Sequence, residues 1–105
     1  MENKTLTTRE DYFALLDSLL TDEQKQDMTR HSAFDYHFSL GLWIRNNWIH
    51  TAKNEDLNRL ICLFDEMAAS SPLFLKYGFT PFFEPDNLSS LIIEQYIEYL
   101  KAKQS

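Results

Sequence analysis

Arg45 and His50 are the one pair of residues in this chain whose types and spacing could cleave a phosphodiester. Four residues separate them, in the run Arg-Asn-Asn-Trp-Ile-His. A histidine can act as general acid or base, and an arginine can stabilise the charge that develops on a phosphorane. Two features weigh against catalysis. Ile44, Asn46, Asn47 and Trp48 flank Arg45, which is the setting of a buried residue. The chain also carries a net charge of −6, which repels the phosphates of RNA. We therefore read Arg45 as an internal ion-pair partner and His50 as a surface residue at a helix end.

Other reactive side chains form no recognisable set, and no catalytic residue is assigned. His31, His37 and His50, taken with the single Cys62, lack the closely paired spacing of a zinc site. No metal is expected. Cys62 lies beside an apolar helical face without a basic neighbour, and is expected to be a small buried hydrophobe. No glycine-rich phosphate loop is present, so no nucleotide or other cofactor is expected. The carboxylates fall mostly at polar positions of amphipathic helices. Together they make a negative surface that steers towards basic partners.

These residues must be positioned by helices. The chain has 105 residues, 44% hydrophobic and 14% aromatic, enough for one folded domain over 1–105. Two glycines and three prolines are too few for the turns of a β-protein, and alternating strand patterns are missing. The class is all-α: a compact bundle of about five helices. One cysteine excludes an internal disulfide and fits a reducing compartment. No signal-like apolar run follows Met1, so a cytoplasmic location is expected, with no membrane span.

Residues 35–49 read as a central helix buried by the others. They hold both tryptophans, Trp43 and Trp48, and apolar residues on more than one helical stripe. Before them, Thr7 with Glu10 has capping-box spacing and opens a helix with Tyr12, Leu15, Leu16, Leu19 and Leu20 on one face. Thr21 with Gln24 opens a short polar helix to about Arg30. After the central helix, Asn54 is a suitable N-cap for a helix burying Leu57, Leu60, Ile61, Phe64 and Met67. Pro72 starts a further turn closed by Gly78. Residues 78–87 form an aromatic loop. Asp86 or Asn87 then caps a last helix with the stripe Leu88, Leu91, Ile92, Tyr96, Tyr99 and Leu100, widened by Ile93 and Ile97.

His37-Phe38-x-Leu40-Gly41-x-Trp43-Ile44-Arg45-Asn46-Asn47-Trp48, with the later Pro85-Asp86-x-x-Ser89-x-x-Ile92, resembles a poorly characterised family of small bacterial domains. That resemblance covers about the central and C-terminal two thirds of the chain. It ties the two motifs together and implies that Arg45 pairs with Asp86. Losing a partner of a buried charge costs about 3–5 kcal/mol. In size and charge the chain also resembles immunity proteins of toxin–immunity systems, including contact-dependent growth inhibition. Arg45-Asn46 followed by His50 is similar to the signature of HEPN ribonucleases, all-α proteins in which such a pair cleaves RNA.

The expected function is therefore a non-enzymatic binding protein: an immunity protein that blocks a basic toxin, most specifically a nuclease, without touching nucleic acid itself. The alternatives are a ribonuclease using Arg45 and His50, or a helical regulatory module. Asp22, Glu23, Asp65, Glu66 and Glu84 are the candidate steering carboxylates. Phe79, Phe82 and Phe83 are the candidate aromatic anchors.

Overall fold

Thr8, one residue later than expected, starts the first helix. The computed structural model describes residues 6–52, 54–65 and 85–104. Helix α1 spans Arg9–Leu19, and its capping box pairs Thr8 with Asp11. The Asp11 carboxylate accepts from the backbone N–H of Thr7 at 3.0 Å and of Thr8 at 3.1 Å, and Thr8 Oγ1 accepts from Asp11 N–H at 3.2 Å. Adjacent threonines with acidic residues three places on give two equivalent-looking boxes; the backbone uses the second, leaving Glu10 in the first turn.

The hydrogen bond from the Thr7 backbone, the largest cause, holds the Asp11 carboxyl down at about 2 against an ordinary 3.8. A depressed carboxyl stabilises the folded state above its unfolded pKa, and the gain is lost as pH falls through the folded value. The cap should thus be complete above pH 3.8 and weaken towards pH 2. The Thr7 and Thr8 amide resonances should titrate with a midpoint near 2; a midpoint near 3.8 would show that the cap does not form.

Helix α2, Asp22–Met28, carries the expected Thr21–Gln24 capping box and stops short of Arg30 at the Thr29 cap. Met28 is its one buried anchor. A 3₁₀ turn follows at Ala33–Tyr36, then α3 at Leu40–Ile44, then a π turn at Arg45–Ile49. The expected single helix over 35–49 is thus a chain of short helical pieces. It is also apolar towards solvent in places: Phe38 is 84% exposed, and Phe34 and Leu42 are exposed as well. Ile44, Arg45 and Ile49 turn inward.

Helix α4 spans Asn54–Phe64, with Asn54 as its first residue rather than its cap. Leu60, Ile61 and Phe64 are buried as the periodicity required. Cys62 is exposed, which corrects the buried reading. It lies next to Ile61 in sequence, but one helical step of about 100° carries it off the buried stripe. Met67, the turn expected from Pro72 to Gly78 and the aromatic loop up to residue 84 lie outside the described residues; residues 85–87, expected at the end of that loop and as the helix cap, are instead already helical.

The longest helix is α5, Pro85–Gln104, which starts on Pro85 with Asp86 in its first turn. Proline suits this position because its missing N–H would have no partner there. Leu88, Ile92, Ile93, Tyr96, Ile97 and Leu100 are all buried, whereas Ile44 and Ile49 are the only buried hydrophobic side chains of the 35–49 segment, with Tyr36, Leu40, Trp43 and Trp48 packed partly buried against the core. The element that the others pack around is α5. It contacts the 3₁₀ turn, α3, the π turn, α4 and α2. Burying one such side chain contributes about 1.5–3 kcal/mol.

Phe13, Tyr12 and Trp48 join this core to α1 through ring contacts, edge-on for Tyr12 and tilted for Phe13 against Tyr99. Tyr12 meets Trp48 at 4.8 Å and Phe64 at 5.8 Å, and Phe13 meets Tyr99 at 4.8 Å. Gln95 adds a polar tie: it accepts from Arg9 Nη1 at 3.1 Å and donates to the Phe64 carbonyl at 2.8 Å, capping the end of α4. Leu19, expected inside, is half exposed at the end of α1.

Candidate functional site

The widened π turn places Arg45 against α5, and its side chain runs back along α3. Arg45 is buried, 6% exposed as a residue. Nη2 donates to the His37 carbonyl at 3.0 Å and Nη1 to Ser89 Oγ at 3.0 Å. Nη1 also lies 3.5 Å from His37 Nδ1. Nε sits 3.3 Å from Asp86 Oδ1, whose side chain is 68% exposed. Ser89 Oγ in turn donates to the Asp86 carbonyl at 2.9 Å. Arg45 is therefore held by one carboxylate at the surface and by neutral acceptors within. It clamps three stretches together: residue 37, the π turn and the first turn of α5.

Gly41 makes room for this clamp. A Cβ there would come within 3.1 Å of Arg45 Nη1 and 3.2 Å of the Tyr36 carbonyl oxygen. Both neighbours are pinned, one by its hydrogen bonds and one by the backbone of the 3₁₀ turn. Alanine normally gains about 0.5–1 kcal/mol over glycine within a helix. Overpacking costs about 1–3 kcal/mol and should win. Gly41→Ala is expected to lower stability by about 1 kcal/mol net in denaturant unfolding. Placed on an Arg45→Met background, the same change should cost less; equal costs in both backgrounds would mean that Gly41 is not there for the guanidinium.

A second polar centre was not legible in the sequence. Asp17, read as one of the solvated carboxylates, accepts the Tyr96 hydroxyl at 2.6 Å and the Tyr99 hydroxyl at 3.2 Å. Lys25 and Lys103 lie 3.9 Å and 3.7 Å from it. Burial first, then the bond to Asp17, push the Tyr96 hydroxyl well above its ordinary range, so it stays protonated and donating. Tyr96, Tyr99 and Lys103 lie on α5, most of the chain away, and no local spacing signals them.

Between α2 and the α3 segment an open groove of about 680 Å³ reaches the surface. Leu19, Leu20, Met28, Tyr36, Leu40 and Trp43 supply its apolar lining. Glu23 and Asp27 line the α2 side. Asp27 accepts the Tyr36 hydroxyl at 3.1 Å, and His31 Nδ1 lies 3.6 Å from it. The backbone oxygen of Asp27 beside the ring, followed by its carboxylate, raises the His31 pKa. Trp43 packs on Trp48 at 5.4 Å, linking the groove to the core rings.

The residues singled out from sequence are dispersed. Asp22 and Glu23 are exposed in the first turn of α2. Asp65 follows the end of α4, partly buried. Glu66, Phe79, Phe82, Phe83 and Glu84 lie outside the described residues. Of its described members, only Glu23 lines the groove. Arg45 opens the π turn and His50 caps it, with His50 N–H donating to the Arg45 carbonyl at 2.8 Å. Their side chains diverge in environment: the guanidinium is buried in its clamp, and His50 is exposed.

Among the described residues, no group of three or more His, Cys, Asp or Glu could hold a metal ion, and no helix is long and apolar enough to cross a membrane. What fold and geometry define is an all-α domain with an arginine clamp at the root of its longest helix and an open, acid-lined groove. Residues 7–100 match the family described as Domain of unknown function (DUF6794), and the chain belongs to it. No curated protein and no solved structure matches the chain.

Proposed function

We infer that this domain is a non-enzymatic binding protein of the cytoplasm. Its most specific reading is an immunity protein that captures and neutralises a basic toxin, a nuclease above all, in a contact-dependent or related growth-inhibition system. The observation that carries this is the commitment of Arg45. Arg45, the one arginine with catalytic spacing to a histidine, is 6% exposed and spends guanidinium donors on His37 and Ser89. A group that must meet phosphate cannot be spent in this way, so the ribonuclease reading loses its main residue. A small domain with a net charge of −6 and exposed carboxylates on α2 remains. Such a surface attracts basic proteins and repels nucleic acid.

The test is capture from the source cell followed by expression of the captured partner. We expect a basic protein that arrests growth when expressed alone and is harmless when this chain is co-expressed. A partner that is acidic or harmless would overturn the reading. So would cleavage of RNA by the purified domain that His50→Ala abolishes.

A further inference from the structure

We propose that the groove between α2 and α3 receives an apolar side chain from a partner protein, on a segment that carries lysine or arginine beside that side chain. This deepens the binding-protein reading and rests on it. The groove walls are mostly apolar and open to the surface. Leu19 is half exposed, and Leu40 and Trp43 are only partly covered by the rest of the chain. An indole and leucines around an open concavity are the surface into which an apolar anchor fits, with water excluded as it enters.

Charge then selects among occupants. Glu23 and Asp27 are four residues apart on α2 and both line the groove, so they stand on the same side of that helix, with Cβ atoms about 6 Å apart. His31 lies beside Asp27, whereas Glu23 makes no ion pair among the described residues. The nearest lysine of α2, Lys25, is turned to Asp17 and Asp22. That side therefore presents an uncompensated negative charge next to an apolar wall. Nucleic acid is excluded by that sign. A second copy of this chain would bring its own net charge of −6 against it. An apolar side chain flanked by a cation satisfies both features: the anchor fills the wall, and the cation meets Glu23.

The test uses a phage-displayed library of random peptides selected on the full chain. Enriched peptides should place an aromatic or aliphatic residue within a few positions of lysine or arginine. Their synthetic forms should perturb the amide resonances of Leu19 and Leu40 and the Trp43 indole N–H. Glu23→Lys and Leu19→Asp, both at exposed positions, should each weaken binding roughly tenfold or more. His50→Ala should leave it unchanged. The proposal is overturned if no peptide is enriched, if enriched peptides are acidic or uncharged, or if Glu23→Lys and the resonance map leave the groove uninvolved. The Glu23 variant and the map decide the matter even if Leu19→Asp fails to fold. If the toxin captured from the cell binds the groove variants as tightly as the parent and is still neutralised, the groove assignment fails while the immunity reading stands. If basic peptides fill the groove but no toxin is captured, the immunity reading is the one that fails.

Discussion

Arg45→Met should destabilise the domain by about 2–4 kcal/mol and lower Tm by roughly 10 °C. Methionine fills much of the arginine stem but donates no hydrogen bond. The His37 carbonyl would lose its guanidinium donor, and Ser89 would lose the bond it accepts. A buried group left unsatisfied costs about 1–3 kcal/mol. The sum stays below the 3–5 kcal/mol expected for breaking a buried ion pair because the stranded carboxylate is not buried. Asp86 is 68% exposed and returns to water. Asp86→Asn should therefore cost only about 1 kcal/mol, because the asparagine keeps an acceptor oxygen and the guanidinium keeps its inner bonds. His50→Ala, at an exposed position, should stay within about 0.5 kcal/mol of the parent. Denaturant unfolding of the three variants checks the order. If Arg45→Met unfolds like the parent, the guanidinium is not a structural clamp, and catalysis by Arg45 becomes the better account.

Asp17→Ala should cost about 2–3 kcal/mol, a large effect for a carboxylate that sequence places on a polar face. The Tyr96 ring and hydroxyl are fully buried, so removing the acceptor 2.6 Å away leaves an O–H with nowhere to go. Tyr99 and the two lysines lose weaker contacts, each worth about 0–1 kcal/mol at most. Asp17→Asn keeps an acceptor and should recover more than half of the loss. The coupling is measured by a double-mutant cycle with Tyr96→Phe. An interaction term of about 1 kcal/mol or more is expected. Strict additivity would mean that the hydroxyl does not depend on Asp17.

Sequence alone determined the class of this fold and most of its core. Scarce glycine and proline, together with a 3.6-residue apolar repeat, leave helices as the only economical way to bury so many aliphatic and aromatic side chains. The α5 stripe from Leu88 to Leu100 and the α4 positions Leu60, Ile61 and Phe64 follow from that periodicity, because a residue's place around a helix depends only on its neighbours along the chain. The Thr21–Gln24 box is likewise local. Tertiary structure decided what periodicity cannot encode. Thr7 and Thr8 offer similar caps, and packing of α1 selects between registers that differ by one residue. The 35–49 segment is apolar on several sides, so its pattern does not fix which side faces in; contact with α5 and the π turn turns Arg45 and Ile49 inward and leaves Phe38 outside. Asp17 lies 79 residues from Tyr96, and Arg45 lies 44 from Ser89. Such bonds form because separate helices dock, and each side chain taken alone has the same sequence signature as a solvated polar residue. The groove is of the same kind: Glu23 comes from one helix and Trp43 from another, and only the gap between them makes a surface that a partner could enter.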